Sequence, residues 1–231
     1  MNTTFDDGDK LYRFISYERL LDIIVNGRFT FAKYKLFDDP WEGFFHKAYF
    51  KVNDNDSYSV MGENRPFIMC FTERKHSDAM WRIYSQQSSG VQISTTVSKL
   101  KNLVSDIKGF DCYLRTVTYD DEIMNEDFFI KNLPTSSMQD KIIQCLFHKR
   151  KAFDHEQEAR LMLYSQSDRD DDIYHIYADP NEIIENISLD PRIDKQAEDL
   201  YVKALSKLGF KKVIAKSPLY KFKRVWYKTK K

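Results

Sequence analysis

The order of apolar and polar residues near the start of the chain predicts a strand, a helix and a second strand. Apolar and polar residues alternate over residues 11–15, which is the period of a half-buried strand. Residues 17–26 then carry an apolar stripe at helical spacing, with Ser16 placed to cap the helix and Gly27 placed to end it. Phe29 and Phe31, one residue apart, indicate a short strand that follows directly.

The rest of the chain continues as a mixture of strands and helices without an internal repeat. Further strands are predicted over residues 67–72, 91–94, 112–119, 160–164, 173–178, 183–189 and 212–215. Helices are predicted from Asp78, carrying Met80, Trp81 and Tyr84, and over residues 121–131, 137–151 and 194–208, the last closed by Gly209. Residues 33–43 are predicted to form a loop and residues 57–65 a surface excursion. Because strands and helices do not alternate regularly, the pattern favours the α+β class over a doubly wound sheet.

Composition predicts a globular chain that folds as one domain over residues 1–231. It is 42% hydrophobic, and its 7 Gly and 6 Pro are too few for long flexible linkers. Residues 221–231 hold six Lys/Arg and are predicted to be a solvated basic tail. The net charge of the whole chain is +1, which by itself does not indicate a nucleic-acid or membrane partner.

Cysteine use and hydropathy favour a cytoplasmic location. Cys70, Cys112 and Cys145 are isolated and odd in number, which fits a reducing compartment and argues against a cysteine-based zinc site. The first ten residues are polar and acidic, so no signal peptide is expected. No apolar run approaches the roughly 18 residues that a membrane-spanning helix needs.

Short motifs for metal, nucleotide and hydrolase chemistry are absent from the sequence. It contains no GxxxxGK[ST], GxGxxG, HExxH or GxSxG pattern. His155 and Glu158 are spaced i, i+3, which would join two ligands on a helix but places them on opposite faces of a strand. No metal cofactor is therefore predicted.

Two carboxylates in the middle of the chain, Glu156 and Glu158, stand out because acidic residues are depleted in strands. They follow a basic stretch at residues 148–151 and lead into an apolar run at residues 161–164. At spacing i, i+2 on a strand, the two side chains share one face. The pair therefore indicates either a salt bridge to the basic stretch or a chemical role.

A set of short segments, taken in order, carries a family resemblance. The segments are Leu11-Tyr12-Arg13-Phe14, Asn26-Gly27-Arg28, Phe37-Asp38-Asp39-Pro40-Trp41-Glu42, Cys70-Phe71-Thr72-Glu73, Met80-Trp81-Arg82-Ile83-Tyr84, Ser89-Gly90-Val91 and Phe153-Asp154-His155-Glu156-Gln157-Glu158-Ala159-Arg160. The set resembles an uncharacterised bacterial family, domain of unknown function 2971. Two departures are Ala159, where the family more often has an aromatic residue, and Asp38, where Asn is commoner. Neither removes a charged site residue, and the family name supplies no activity.

The opening strand and its capped helix also resemble the start of ADP-ribosyltransferase-like folds, which bind NAD in a cleft between two small sheets. This resemblance implies a split two-sheet core with flanking helices and NAD as the substrate. By the same resemblance, Arg13 would hold the cofactor, Thr72 or Tyr84 would shape the pocket, and Glu158 would be the catalytic residue. Tyr12 and Trp81 complete the implied NAD-binding set. The implied function is that of an NAD-using effector of the toxin or phage-defence type.

The chemistry of such a site is coherent with these residue types. Cleavage of the glycosidic bond in NAD passes through an oxocarbenium-like state, which a carboxylate such as Glu158 can stabilise. The guanidinium of Arg13 would offer permanently charged donors to the diphosphate. Glu156 would act as the general base for the acceptor nucleophile. The acceptor itself is open among protein, nucleic acid and water, so that either a transferase or an NAD glycohydrolase is implied.

Each of these residues also has a structural interpretation. Arg13 could form a buried ion pair with Glu156 or Glu158 across the sheet. The segment Asp38-Asp39-Pro40 is explained more simply as a turn than as part of a functional site. The remaining candidates have ordinary roles as well: Glu42 as a solvated side chain, Trp81 and Tyr84 as core, and Lys149-Arg150-Lys151 as charges that complement the end of a helix.

Two other functional classes remain open from the sequence. A metal-dependent nuclease could gather its carboxylates around Mg²⁺, with Lys149 or Arg160 near the phosphate. The carboxylates of that hypothesis are Asp38, Asp39, Glu42, Glu156 and Glu158. Alternatively, a non-catalytic partner-binding module could use the many aromatic residues as a contact surface.

Overall fold

The computed structural model describes residues 1–43, 49–51, 57–59, 64–121, 138–222 and residue 224. Four predicted segments lie partly outside this range: the helix at 121–131 apart from Asp121, the first residue of the helix at 137–151, part of the 57–65 excursion, and most of the 221–231 tail. In the part that is described, no helix has the length and apolar character needed to cross a bilayer.

The strands and helices intermix along the chain. The strands are β1 (Asn2–Thr3), β2 (Lys10–Ile15), β3 (Arg28–Ala32), β4 (Tyr49–Lys51), β5 (Ser57–Ser59), β6 (Pro66–Thr72), β7 (Val91–Thr96), β8 (Phe110–Thr116), β9 (Thr118–Tyr119), β10 (His148–Lys149), β11 (Glu158–Ser165), β12 (Ile173–Tyr177), β13 (Asn186–Leu189) and β14 (Val213–Lys216). The α-helices are α1 (Tyr17–Asn26), α2 (Asp78–Tyr84), α3 (Val97–Leu103), α4 (Met138–Cys145), α5 (Pro180–Ile183) and α6 (Lys195–Lys207). Short 3₁₀ helices include Tyr34–Leu36, Gln86–Ser88 and Lys151–Glu156.

One large sheet, in the order β1-β8-β11-β6-β2-β7-β13-β14, organises the described residues. Strand β3 also pairs with β6, and β12 pairs with β3. Two small two-stranded sheets, β9 with β10 and β4 with β5, lie beside it. Strand β11 is antiparallel to both of its neighbours, β6 and β8, and every one of its residues is buried.

The large sheet is nearly divided between β2 and β6. These strands share the single pair Tyr12↔Thr72, whereas β2 pairs with β7 from Lys10 to Ile15 and β6 pairs with β11 from Pro66 to Thr72. The two parts therefore diverge on either side of one register pair. This division confirms the predicted α+β class with a split core, and it leaves a gap beside the ends of β2, β6 and β11.

The two faces of β11 belong to different apolar clusters because side chains alternate along a strand. Ala159, Leu161 and Leu163 face the main core. Met162 and Tyr164 face a second cluster, which α4 covers with residues such as Ile142. The charged Glu158 and Arg160 continue the second face toward the gap, so apolar packing holds β11 while its first residues carry charge into the split.

Most predicted elements are confirmed, and the first helix has the predicted ends. Three corrections arise. The predicted helix at 137–151 is wrong beyond Cys145, because residues 148–149 pair with β9 and residues 151–156 form a 3₁₀ helix. The predicted strand at 183–189 begins only at Asn186, since Pro180 and its cap Asp179 start the short helix α5. Helix α3 and the short strand β1 had no predicted counterpart.

Gly27 ends α1 in the left-handed conformation, with φ of 63°, and its N–H donates to the Ile23 carbonyl at 2.9 Å. A Cβ at this position would lie 2.7 Å from the backbone oxygen of Ala178. We therefore expect Gly27→Ala to lower the free energy of unfolding by about 1–2 kcal/mol or more, measured by urea denaturation. Gly8→Ala is the matched control, because no atom lies within 4 Å of its added Cβ. Equal stability of the two variants would contradict this account.

Candidate active site

A cleft of about 880 Å³ occupies the gap where the large sheet divides. Its size falls within the range of about 300–1,000 Å³ that is usual for small-molecule sites. The predicted site residues that line it are Tyr12, Arg13, Asp38, Asp39, Glu42, Thr72, Tyr84, Glu156 and Glu158. The division of the sheet thus brings segments that are distant in the sequence to one cavity.

On one wall of the cleft, three carboxylates converge on Lys149. The Nζ atom of Lys149 lies 2.7 Å from Glu156 Oε2, 3.1 Å from Glu42 Oε1 and 3.6 Å from Glu158 Oε2. The ammonium also lies over the ring of Phe153, 4.6 Å from its centroid. Lys149 therefore serves as the common counter-ion of this group, which corrects the prediction that it caps a helix end.

Arg160 is the second cation that binds these carboxylates. Its Nε and Nη2 atoms donate to the two oxygens of Glu158, both at 2.9 Å, and Nη2 also donates to Glu42 Oε2 at 2.6 Å. Nη1 donates to the Leu146 carbonyl at 2.7 Å. Because only 1% of Arg160 is exposed, these bonds fix the orientation of the Glu158 carboxylate. Three carboxylates and two cations leave the cluster with one net negative charge.

Glu156 and Glu158 reach this cluster from different backbone settings. Glu158 begins β11, whereas Glu156 ends the 3₁₀ helix Lys151–Glu156, so the prediction that both lie on one strand is wrong. Gln157 between them has a positive φ of 42°, a conformation that a non-glycine residue adopts only when its surroundings hold it there. The backbone N–H of Glu158 donates to the Tyr119 hydroxyl at 2.7 Å, which helps to fix this turn.

The two carboxyl groups differ in proton affinity. Burial raises the pKa of Glu158, but Arg160 and then Lys149 outweigh it, and the net pKa lies below the usual range. Burial also raises the pKa of Glu156, and there the opposing effect of Lys149 is not enough to cancel it. Glu158 is therefore held ionised, while Glu156 is the better proton acceptor and donor. A separation of this kind assigns different chemical roles to two neighbouring carboxyl groups.

The low pKa of Glu158 makes stability depend on pH. A carboxyl whose folded pKa is depressed stabilises the fold above its ordinary pKa of 4.5, and this contribution is lost as the pH falls through the lower folded value. We expect the stability gap between wild type and Glu158→Gln to be largest at neutral pH and to narrow on acidification, since protonated Glu and Gln are both neutral. Urea unfolding over a pH series measures the gap. A gap that is independent of pH would contradict the assignment.

Arg13 lies in the cleft without a carboxylate partner. It is half-buried, and among the residues described no carboxylate oxygen comes within ion-pairing distance of its guanidinium. The hypothesis of an ion pair with Glu156 or Glu158 is therefore wrong, because Lys149 and Arg160 already neutralise those groups. Burial lowers the pKa of Arg13 to about 10, which still leaves it charged at neutral pH. An arginine without a carboxylate partner in a cleft is a candidate anion-binding residue.

The aromatic and hydroxyl candidates fall into two groups. Tyr12 and Thr72 form the single pair that joins the two parts of the sheet, and the Thr72 hydroxyl donates to the Glu156 carbonyl at 2.6 Å. Tyr84 lines the cleft and is 42% exposed. Trp81, by contrast, is fully buried outside the cleft lining and packs edge-on against Phe14 at 4.9 Å. Trp81 therefore supports the wall of the cleft from behind.

The loop at residues 38–42 combines a turn with a role in the charged cluster. Asp39 accepts the backbone N–H of Trp41 at 3.1 Å and receives Arg150 Nη2 at 2.7 Å, as the turn interpretation predicts. Glu42 is not solvated but buried within the cluster, while Asp38 and Pro40 are exposed. Among the described residues no group of three or more His, Cys, Asp or Glu is arranged to hold a metal ion.

Comparison with known proteins gives a family match first. Residues 80–161, from α2 to the start of β11, match the model of a family described as protein of unknown function, DUF2971. This match confirms the resemblance that the motifs indicated and includes Tyr84, Lys149, Glu156 and Glu158. A comparison with curated protein sequences found no match.

Solved structures of one protein, DarT from Thermus sp. 2.9, also match this chain. The complex with NAD+ has 12% identity and a TM-score of 0.43, and the alignment covers 94% of this chain and 100% of that one. The complex with ADP-ribosylated ssDNA has 10% identity and a TM-score of 0.44, with 94% and 98% covered. The complex with carba-NAD+ has 9% identity and a TM-score of 0.41, with 92% and 97% covered.

Proposed function

We propose that this chain binds NAD in the cleft and transfers its ADP-ribosyl group, in the manner of an ADP-ribosyltransferase-like effector. One observation carries the proposal: an ionised, rigidly held Glu158 and an unpaired Arg13 line the same cleft at the division of the sheet. A carboxylate and a guanidinium in one cavity match the two ends of the reacting half of NAD, a ribose that becomes cationic and a diphosphate that is anionic.

In the proposed reaction the bond between ribose C1′ and the nicotinamide nitrogen breaks, and its electron pair leaves with nicotinamide. The sugar becomes oxocarbenium-like, and the negative charge of Glu158 stabilises it while accepting a hydrogen bond from a ribose hydroxyl. An acceptor oxygen or nitrogen then attacks C1′ and loses its proton to Glu156, whose raised pKa suits a general base. If the acceptor is water, the product is ADP-ribose.

The arrangement around the carboxylates does not favour the metal-dependent nuclease. Glu42, Glu156 and Glu158 surround Lys149 and Arg160, so that protein cations already stand where a metal ion would have to bind. Asp39 is likewise paired, with Arg150. A partner-binding module would explain the ion pairs but not an open cleft containing an uncompensated Arg13. The NAD hypothesis accounts for both features.

The direct test is to incubate purified wild-type protein with NAD and to measure nicotinamide release by liquid chromatography. Release in buffer alone would indicate water as the acceptor. Release that requires added ssDNA or protein, together with mass gained by the added molecule, would identify a transferase. If NAD neither binds in calorimetry nor releases nicotinamide with any of these acceptors, the proposed function fails. A toxin or phage-defence role additionally requires that expression arrests growth in cells.

A further inference from the structure

A second arginine, Arg19, lines the same cleft and had no place in the sequence-based site. It stands in the first turn of α1, close enough to Arg13 for the two charges to repel each other. Like Arg13, its guanidinium has no carboxylate within ion-pairing distance in the described part of the chain. Glu18 beside it also lines the cleft, but its carboxylate is engaged with the Ser16 hydroxyl and its own backbone N–H.

The position of Arg19 is electrostatically unfavourable in the absence of a ligand. The N-terminus of a helix carries a partial positive charge, and carboxylates rather than cations are preferred in the first turn. Arg19 is the third residue after the cap Ser16, a place where Glu or Gln is favoured. Helical side chains lean toward the helix N-terminus, which is the end of α1 that follows β2, the strand carrying Arg13. Two cations and a helix N-terminus thus add positive charge to the cleft lining.

An anion with two adjacent charges would neutralise this arrangement, and a single carboxylate would neutralise only half of it. The Glu42, Glu156 and Glu158 cluster also lines the cleft; it has one net negative charge and repels phosphate groups. The cleft lining therefore combines two arginines without carboxylate partners, which attract an anion, with a carboxylate cluster, which can stabilise a developing cation. A dinucleotide that reacts at its ribose needs both features.

We propose that Arg19 is a second diphosphate-binding residue, which together with Arg13 holds the two phosphates of the dinucleotide. This inference rests on the proposed function and adds a residue to it. Arg13 lies on strand β2 and Arg19 on helix α1, so the two guanidinium groups would bind the diphosphate from different elements. Because the interaction is with phosphates, it contributes to binding of substrate and product alike, and its loss raises KM more than it lowers kcat.

The test compares the binding of ADP-ribose and adenosine by calorimetry in wild type and variants. Arg19→Gln is expected to weaken ADP-ribose binding about tenfold to a hundredfold, the range for one charge-assisted hydrogen-bonded contact, and to leave adenosine binding unchanged. Arg19→Lys keeps the positive charge but loses the paired N–H donors of the guanidinium. Its affinity for ADP-ribose is expected to lie between those of wild type and Arg19→Gln. The matched control is Arg82→Gln, because Arg82 is exposed and paired with Asp78 at 2.7 Å outside the cleft lining.

The outcomes separate the two proposals. If wild type binds ADP-ribose and Arg19→Gln binds it equally well, the role of Arg19 is refuted while the proposed function stands. Equal loss of adenosine and ADP-ribose binding would also refute it, because a phosphate contact cannot affect adenosine. If wild type binds neither ADP-ribose nor NAD and releases no nicotinamide, the proposed function itself fails, and the role of Arg19 with it.

Discussion

Replacing Glu158 with Gln is expected to lower nicotinamide release from NAD by about 100- to 1,000-fold, the range for the loss of one electrostatic group at a transition state. The substitution keeps the shape of the side chain and removes the negative charge that we propose stabilises the ribose. Arg160 remains bound to Glu42 and to the Leu146 carbonyl, so the amide oxygen can still accept one of its hydrogen bonds. Rates at saturating NAD, measured by chromatography, report the effect.

The matched control for this variant is Glu185→Gln. Glu185 is paired with Lys99 at 3.2 Å and does not line the cleft, so its substitution removes an ion-paired carboxylate without touching the site. Circular dichroism and a thermal melt establish that both variants are folded. Nicotinamide release that is the same in folded Glu158→Gln as in wild type would remove Glu158 from the mechanism.

Replacing Arg160 with Met is expected to cause the largest loss of stability, about 3–5 kcal/mol in the free energy of unfolding. The substitution leaves the carboxylates of Glu158 and Glu42 short of a cation in a buried site, and it leaves the Leu146 carbonyl without its donor. Urea denaturation gives the value. Arg115→Met is the matched control, since Arg115 pairs in register with Arg160 on the adjacent strand but is only half-buried. That control is expected to cost about 1 kcal/mol or less.

A double variant that also removes the charge of Glu158 tests why Arg160→Met loses stability. Arg160→Met combined with Glu158→Gln is expected to be less destabilised than the sum of the two single variants, with a coupling energy of about 1–3 kcal/mol. Such coupling means that the ion pair, and not the packing of the Arg160 stem, accounts for the effect. Strict additivity, or a loss in Arg160→Met no larger than in Arg115→Met, would contradict the described cluster.

Elements with local signals could be predicted from the sequence. Helix α1 has the predicted ends because its cap Ser16 and its terminator Gly27 are encoded next to the helix itself. The helix prediction fails over residues 146–151, because Lys149 pairs with a strand and binds carboxylates instead of continuing a helix. Lys149 pairs in register with Tyr119 and binds three carboxylates, contacts that local periodicity does not contain.

The candidate site, too, could be predicted from the sequence only in part. The sequence indicated that Glu156 and Glu158 need a cation or a chemical role, and the structure gives them cations in an open cleft. The predicted salt bridge to the basic stretch is confirmed by Lys149. The sequence could not identify Arg160 as the second cation, which also binds Glu42, 118 positions away. Nor could it show that Arg13 lacks a carboxylate partner, or that Trp81 lies behind the cleft wall. Such facts depend on how β2 separates from β6, which is a property of the whole sheet.

The central claim is that NAD lies in the cleft with its reactive ribose against residue 158 and its diphosphate against Arg13. A crystal structure of Glu158→Gln soaked with NAD tests it most directly, since the slow variant retains the intact dinucleotide. We expect density for NAD at the division between β2 and β6, with the ribose beside Gln in place of Glu158 and the phosphates within hydrogen-bonding distance of the Arg13 guanidinium. NAD bound elsewhere, or an empty cleft at saturating NAD, would contradict the account.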